Sequence, residues 1–239
     1  DGYWSRGLGD VYKRQREIPI QFQETVLREC HELGKELIVE SRCEQLTEEK
    51  LSWATSINPS FTVAIGLEAY DDEVLRFHVN KGFTTKSWDR AVENLRKFNL
   101  RIKTYLMFKP PFMSEKDALD HGVRWIKDVA GRSDEISVNP MNIQRGTVID
   151  RLHRHNEYRP PWLWSLVEMI KQAHPHIYPD GGVNGSPDQV CRLIVHPTAG
   201  GKIRGAHNCG SCDKFVVAAI ERYACLLYTS DAADEQQRV

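Results

Sequence analysis

Four short apolar runs recur along the chain: residues 36–41 (ELIVES), Thr62–Glu68 (TVAIGLE), Arg101–Phe108 (RIKTYLMF) and residues 135–139 (EISVN). Each is rich in β-branched or aromatic residues and bounded by polar turns, which is the signature of a strand. Helical patterns separate them, over residues 21–33, 47–55, 72–80, 86–98, 114–130 and 162–173. Thr47, followed by Glu48 and Glu49, is placed as an N-cap with acids in the first turn, and Ser114-x-x-Asp117 resembles a capping box. Strand and helix alternating at this spacing predict an α/β fold whose strands pair in parallel through βαβ crossovers. An open or partial (β/α) barrel is preferred to a doubly wound sheet, because every strand ends on polar side chains: Glu40, Ser41 and Arg42, then Glu68, Lys109 and Asn139. After Ala173 the pattern breaks. Residues 174–205 are rich in Gly, Pro and His with one strand-like run at 191–195, and a last helix is predicted over 212–223.

The two ends do not read like the middle. SRGLGDVYKRQ and CLLYTSDAADE look like translated sequencing-adapter scars, because DVYKRQ and CLLYTS can be back-translated into complementary DNA. Residues 1–15 and 225–239 are therefore expected to be non-native, and 16–224 to be a piece of a longer protein. Of 33 acidic and 32 basic residues, 28 of each remain without the two ends, so net charge gives no global argument for nucleic acid. A local cluster of Arg145, Arg151, His153, Arg154, His155 and Arg159 is either a solvated helix face or a phosphate track. Setting Cys225 aside leaves Cys30, Cys43, Cys191, Cys209 and Cys212, an odd set that argues against a disulfide framework and for a reducing cytoplasm. No apolar run reaches the ~20 residues that span a bilayer, so no membrane association is expected.

The richest stretch is NPMNIQRGTVIDRLHRHNEYRPPWLWS, where a strand runs into a turn carrying Asn139, Asn142, Gln144 and Arg145. Fixed donors on such a turn suit a carboxylate or a ribose. Glu40 and Arg42 either hold an amino acid zwitterion or close their loop as an ion pair. Glu68, beside Gly66, is an acceptor for an ammonium or hydroxyl, whereas Asp71 and Asp72 read as caps. Lys109, on the rigid Lys-Pro-Pro-Phe turn, is a surface charge or an anion contact. His207-x-Cys209-x-x-Cys212 has zinc-ligand spacing, with His196 or Cys191 as a fourth ligand; two thiols capping a helix or a redox pair are the alternatives. Tyr158, Trp162 and Trp164 are expected to serve packing rather than base stacking.

In order along residues 16–224, the blocks VESRCEQLTEEKL, AIGLEAYDDEVLRFHVNKGFT, KTYLMFKPPFMSEKDA, NPMNIQRGT, EYRPPWLWS and RGAHNCGSCD resemble the archaeosine-synthase radical S-adenosylmethionine subunit, a relative of the radical domain of the Elongator catalytic subunit. The resemblance implies a truncated partial (β/α)6 radical-SAM barrel over 16–173 with a Cys/His-containing extension over 174–224. It also implies a cytoplasmic enzyme that cleaves a C–N bond of a lysine-modified 7-deazaguanine in the tRNA D-loop, with a second synthase subunit as partner. Its cofactors would be S-adenosylmethionine and a [4Fe–4S] cluster, with Glu40, Arg42, Glu68, Asn139 and Arg145 toward the cofactor and Lys109, Asn142 and Gln144 toward the substrate. Zinc is expected at His207, Cys209 and Cys212. The family's CxxxCxxC is absent from this sequence, so the chain alone is expected to be inactive. Two alternatives are another Elongator-like radical enzyme and a non-catalytic, zinc-stabilised α/β module that binds RNA or a partner.

Overall fold

The computed structural model describes residues 5–7, 18–179 and 190–226. Strands Ser5–Gly7 (β1), Ile38–Ser41 (β2), Thr62–Glu68 (β3), Arg101–Phe108 (β4), Glu135–Pro140 (β5) and Arg192–Val195 (β6) form one parallel sheet in sequential order. Helices Ile20–Glu32 (α1), Glu48–Ile57 (α2), Asp72–Val74 (α3), Thr85–Lys97 (α4), Glu115–Ala130 (α5), Val148–Arg154 (α6), Leu163–Ile177 (α7) and Asp213–Leu226 (α8) connect and follow them. The α/β class and the open, barrel-like sheet are as the alternation predicts. The end segments set apart on sequence lie outside the described residues, save for β1 and the end of α8. The backbone of β1 extends the sheet at the β2 edge, pairing in parallel from Ser5 with Ile38 to Gly7 with Glu40.

Sequential strand order with right-handed crossovers puts every connecting helix on the same side of the sheet. The core shows this directly. Val63, Ile65, Leu67, Ile102, Leu106, Phe108, Ile136, Val138, Leu193 and Val195 belong to one apolar cluster with Trp88, Trp125, Leu166 and Met169 from the helices. The alternate residues of the same strands point the other way. Register aligns Lys103 with Glu135, Tyr105 with Ser137, Met107 with Asn139 and Glu135 with Arg192, so these side chains share the inner face. The described residues of 174–224 supply the end of α7, all of β6 and most of α8. Val216 and Ile220 of α8 enter the main core, while Ala224 packs on Ile194.

The caps read from sequence form. The Thr47 hydroxyl accepts from Lys50 N–H, Ser114 from Asp117 N–H, and the Asp71 carboxylate from Glu73 and Val74 N–H. One helix departs from expectation. The segment 72–80 is α-helical only over Asp72–Val74; Leu75–Val79 widens into a π-turn that ends on Asn80 at φ 53°. Lys81 N–H then returns to the carbonyl of Leu75, so the chain folds back toward the end of β3. A π-turn of this kind is uncommon and often sits beside functional groups.

Candidate functional site

The π-turn aims Lys81 at Glu68, whose carboxylate accepts from the ammonium at 2.8 Å. Glu68 itself sits at φ 71°, just past a register shift between Gly66 and Glu68 in the β3–β4 pairing. A non-glycine residue held there costs on the order of 1 kcal/mol, so the surrounding structure has to impose it. Gly66 supplies the room: a Cβ at that position would come within 3.0 Å of both the Glu68 carboxylate and the Lys81 ammonium. The result is an acidic group fixed in orientation at a strand end, packed with Lys81 into the space that a side chain at position 66 would take.

On the neighbouring strand, Glu40 accepts a hydrogen bond from the Tyr105 hydroxyl at 3.2 Å. Arg42 pairs with Glu44 at 2.8 Å and donates to the carbonyl of Lys81 at 3.3 Å, so the Glu40–Arg42 ion pair considered from sequence is not made. Cys43, next in the chain, is buried; burial pushes its thiol up to about 12, which leaves it inert.

Asn142, Gln144 and Arg145 are brought together on the turn after β5. They line an open cleft of about 670 Å³ whose far wall is Ala199, Lys202, Ile203 and Arg204. Buried Asp150 ties the two walls. It accepts from Gly146 N–H at 3.0 Å and pairs with Arg204 and with Arg154. The Gly146 N–H and the Arg204 guanidinium hold its carboxyl down at about 2. Asn139 lies on the inner face at the end of β5, beside Met107. The basic cluster around 145–159 is not a continuous track, because Arg154 is spent on Asp150 and Arg159 turns inward.

Lys109 is engaged rather than free. Held at φ 58° and 8 % exposed, it donates to the carbonyl of Arg159 at 2.9 Å and pairs with Glu115 at 2.7 Å. The Tyr158 hydroxyl donates to the Lys109 carbonyl at 2.8 Å. Arg159 stacks on Trp162 at 3.3 Å and donates to the carbonyl of His207 at 2.8 Å, and His207 N–H donates to Pro161. Trp164 N–H donates to the Asn208 side chain at 3.3 Å. Three sequence blocks, KPPF, EYRPPWLWS and HNCGSCD, thus close into one seam. Lys109 fixes that seam, and its expected contact with substrate has no free ammonium to make it. Tyr158 is buried there, while Trp162 and Trp164 stay 40 % and 56 % exposed.

The zinc expectation finds no support in this arrangement. Among the described residues no group of three or more His, Cys, Asp or Glu side chains is placed to hold a metal. His207 Nδ1 faces the carbonyl of Gly205 at 2.8 Å, and Cys191 is buried in the core with its thiol pushed up to about 12 by burial. His196 sits near Lys103, Glu135 and Glu221 instead. What the Cys-Gly-Ser-Cys turn does show is a pair of thiols at the start of α8. The N–H and hydroxyl of Ser211 and the N–H and thiol of Cys212 draw the Cys209 thiol below its usual range.

The inner face of the sheet carries polar residues that are not among the strand-end candidates. Lys103 and Glu135 pair at 2.6 Å with side chains 11 % and 13 % exposed, Arg192 lies 4.0 Å from Glu135, and Ser137 is buried with its hydroxyl unpartnered. The signal was present in RIKTYLMF, where polar or amphipathic residues alternate with apolar ones at a period of two.

No protein-family model matches the chain. Over 88 % of its length it is 34 % identical to archaeosine synthase subunit beta of Methanosarcina acetivorans, covering 59 % of that protein. Over 80 % of its length it is 35 % identical to archaeosine synthase subunit beta of Thermococcus kodakarensis, covering 56 % of it. The fold matches the solved structure of archaeal Methanocaldococcus infernus Elp3 lacking its N-terminus, with a TM-score of 0.61 and 15 % identity over 84 % of this chain and 49 % of that one. The chain spans somewhat more than half the length of the named relatives it matches, and across that span it is similar in sequence to archaeosine synthase beta subunits, on a fold like that of Elp3.

Proposed function

We propose that this chain forms part of the barrel of a radical S-adenosylmethionine enzyme that modifies tRNA. Its reaction is C–N bond cleavage of a lysine-modified 7-deazaguanine in the D-loop during archaeosine synthesis, with a second synthase subunit as partner. The observation that carries this reading is the identity to archaeosine synthase beta subunits along most of the chain, since polar strand ends alone suit many ligands.

The residues present fit S-adenosylmethionine. The Glu68 carboxylate, fixed by Lys81 at a strand end, and the unpartnered Ser137 hydroxyl on the inner face are polar groups that such a ligand would engage. Glu40, Arg42, Glu68, Asn139 and Arg145 would hold it, with the acids taking ammonium or hydroxyl groups and Arg42 or Arg145 the carboxylate. Asn142 and Gln144, on the cleft wall, face the substrate. When bound, S-adenosylmethionine supplies radical chemistry; the chain's part is to orient it and keep water out. A [4Fe–4S] cluster does not fit this chain's own residues: the sequence carries no CxxxCxxC, and Cys43 and Cys191 are buried apart from Cys209 and Cys212. The chain by itself is therefore proposed to bind the cofactor without turning it over.

The test is a chimera in which this chain replaces the matching span of the Methanosarcina acetivorans subunit, with archaeosine measured in tRNA by nucleoside mass spectrometry. The chimera is expected to form archaeosine, and its Glu68→Gln variant to form at least ~100-fold less. A folded chimera that makes none, while the native subunit does, would overturn the proposal.

A further inference from the structure

We infer that Cys209 and Cys212 form a reactive dithiol site that exchanges with disulfides, a role separate from the strand-end site. The turn that carries them is built around Asp213, whose carboxylate accepts from Asn208 N–H at 3.2 Å and Gly210 N–H at 3.1 Å. Gly210 at φ 91° allows the sharp reversal between the two cysteines, a conformation an L side chain rarely adopts. Cys209 is exposed to solvent. Cys212 is half-buried behind it, and its sulfur accepts from the Asn208 side-chain amide at 3.3 Å. The N–H groups of Ser211 and Cys212, the Ser211 hydroxyl and the Cys212 thiol face the Cys209 sulfur, just ahead of α8. An exposed attacking sulfur with a shielded second thiol behind it, at the start of a fourteen-residue helix, is the geometry of a dithiol exchange site.

The exchange balances without any further reactant than a disulfide, RSSR. Cys209, its proton given to solvent, attacks one sulfur and forms a mixed disulfide, and RS⁻ leaves. Cys212 then loses its proton and attacks the Cys209 sulfur, closing the Cys209–Cys212 bond and releasing the second RS⁻. Two electrons and two protons pass from the protein, and RSSR becomes two thiols. Among the described side chains, Cys43 and Cys191 are buried out of reach of a disulfide in solution, and Cys30 lies half-buried on α1.

The experiment uses the full chain, reduced and desalted, with oxidised glutathione as the probe, followed by alkylation and peptide mass spectrometry. The wild type is expected to acquire the Cys209–Cys212 disulfide. Cys212→Ser is expected to hold glutathione on Cys209, and Cys209→Ser to react at least ~10-fold more slowly at Cys212. Cys30 is the internal reference, and circular dichroism of both serine variants checks that they fold. Equal, Cys30-like reactivity of both cysteines would overturn the inference. So would purified chain carrying stoichiometric zinc that blocks both thiols until chelated.

Discussion

The two faces of the sheet are made from the same strands and obey different rules. The outer face is a continuous apolar layer locked under helices, where Ile65, Ile102, Phe108 and Ile136 are at most 1 % exposed. The inner face carries Glu40, Lys103, Tyr105, Glu135, Ser137, Asn139 and Arg192. Apolar burial stabilises by about 25 cal/mol per Å², so the outer face holds the fold together. Charges packed together on the inner face gain at most a small net amount after desolvation, so their presence there is better explained by what they meet than by stability. Stability and ligand chemistry are thus written on alternate residues of one strand.

This contrast can be broken experimentally. Phe108→Ala, on the outer face, is expected to destabilise by about 3–5 kcal/mol in denaturant unfolding. A loss below about 1 kcal/mol would mean that the outer layer is not the main source of stability. Glu135→Gln leaves Lys103 without its charge partner and is expected to cost about 2–3 kcal/mol, much of it recovered in Lys103→Met/Glu135→Leu. If the double variant is no better than the single one, the pair contributes more than mutual neutralisation. Ser137→Ala removes a buried hydroxyl that has no partner and is expected to shift stability by less than about 0.5 kcal/mol. A large loss there would show that the inner face stabilises as the outer one does.

Much of this was legible in the sequence. The strand runs over Thr62–Glu68 and Arg101–Phe108 were placed to the residue, because four to eight apolar residues between turn signals leave little freedom. Glu40, Glu68 and Asn139 were found by position at strand ends. The helix over 72–80 is α-helical only to Val74, because the change to π geometry at Leu75, which brings Lys81 to Glu68, is not encoded in the apolar periodicity. Lys109 looked like an anion contact because its partners, Glu115 and the Arg159 carbonyl, are joined only by the tertiary fold. The HxCxxC spacing suggested zinc, but spacing does not report where His207 points. The Lys103–Glu135–Arg192 row was readable from alternation, yet attention to strand ends passed over strand interiors.

The seam that joins Lys109, Arg159 and His207 also bears on the order in which the molecule is assembled. Its contacts span 50 residues from Lys109 to Arg159 and 48 more from Arg159 to His207. Contacts this distant in sequence form late, and domains made on a ribosome grow from the N-terminus. A nascent chain that has emerged only as far as α7 already contains Lys109 and the tryptophans but not the loop that closes over them. Until His207 and Asn208 are made, the Arg159 guanidinium keeps its local contacts with the Pro160 carbonyl and Trp162 but lacks its bond to His207, and the Trp164 N–H lacks the Asn208 side chain. The loop of His207 and Asn208 therefore acts as the latch of this seam.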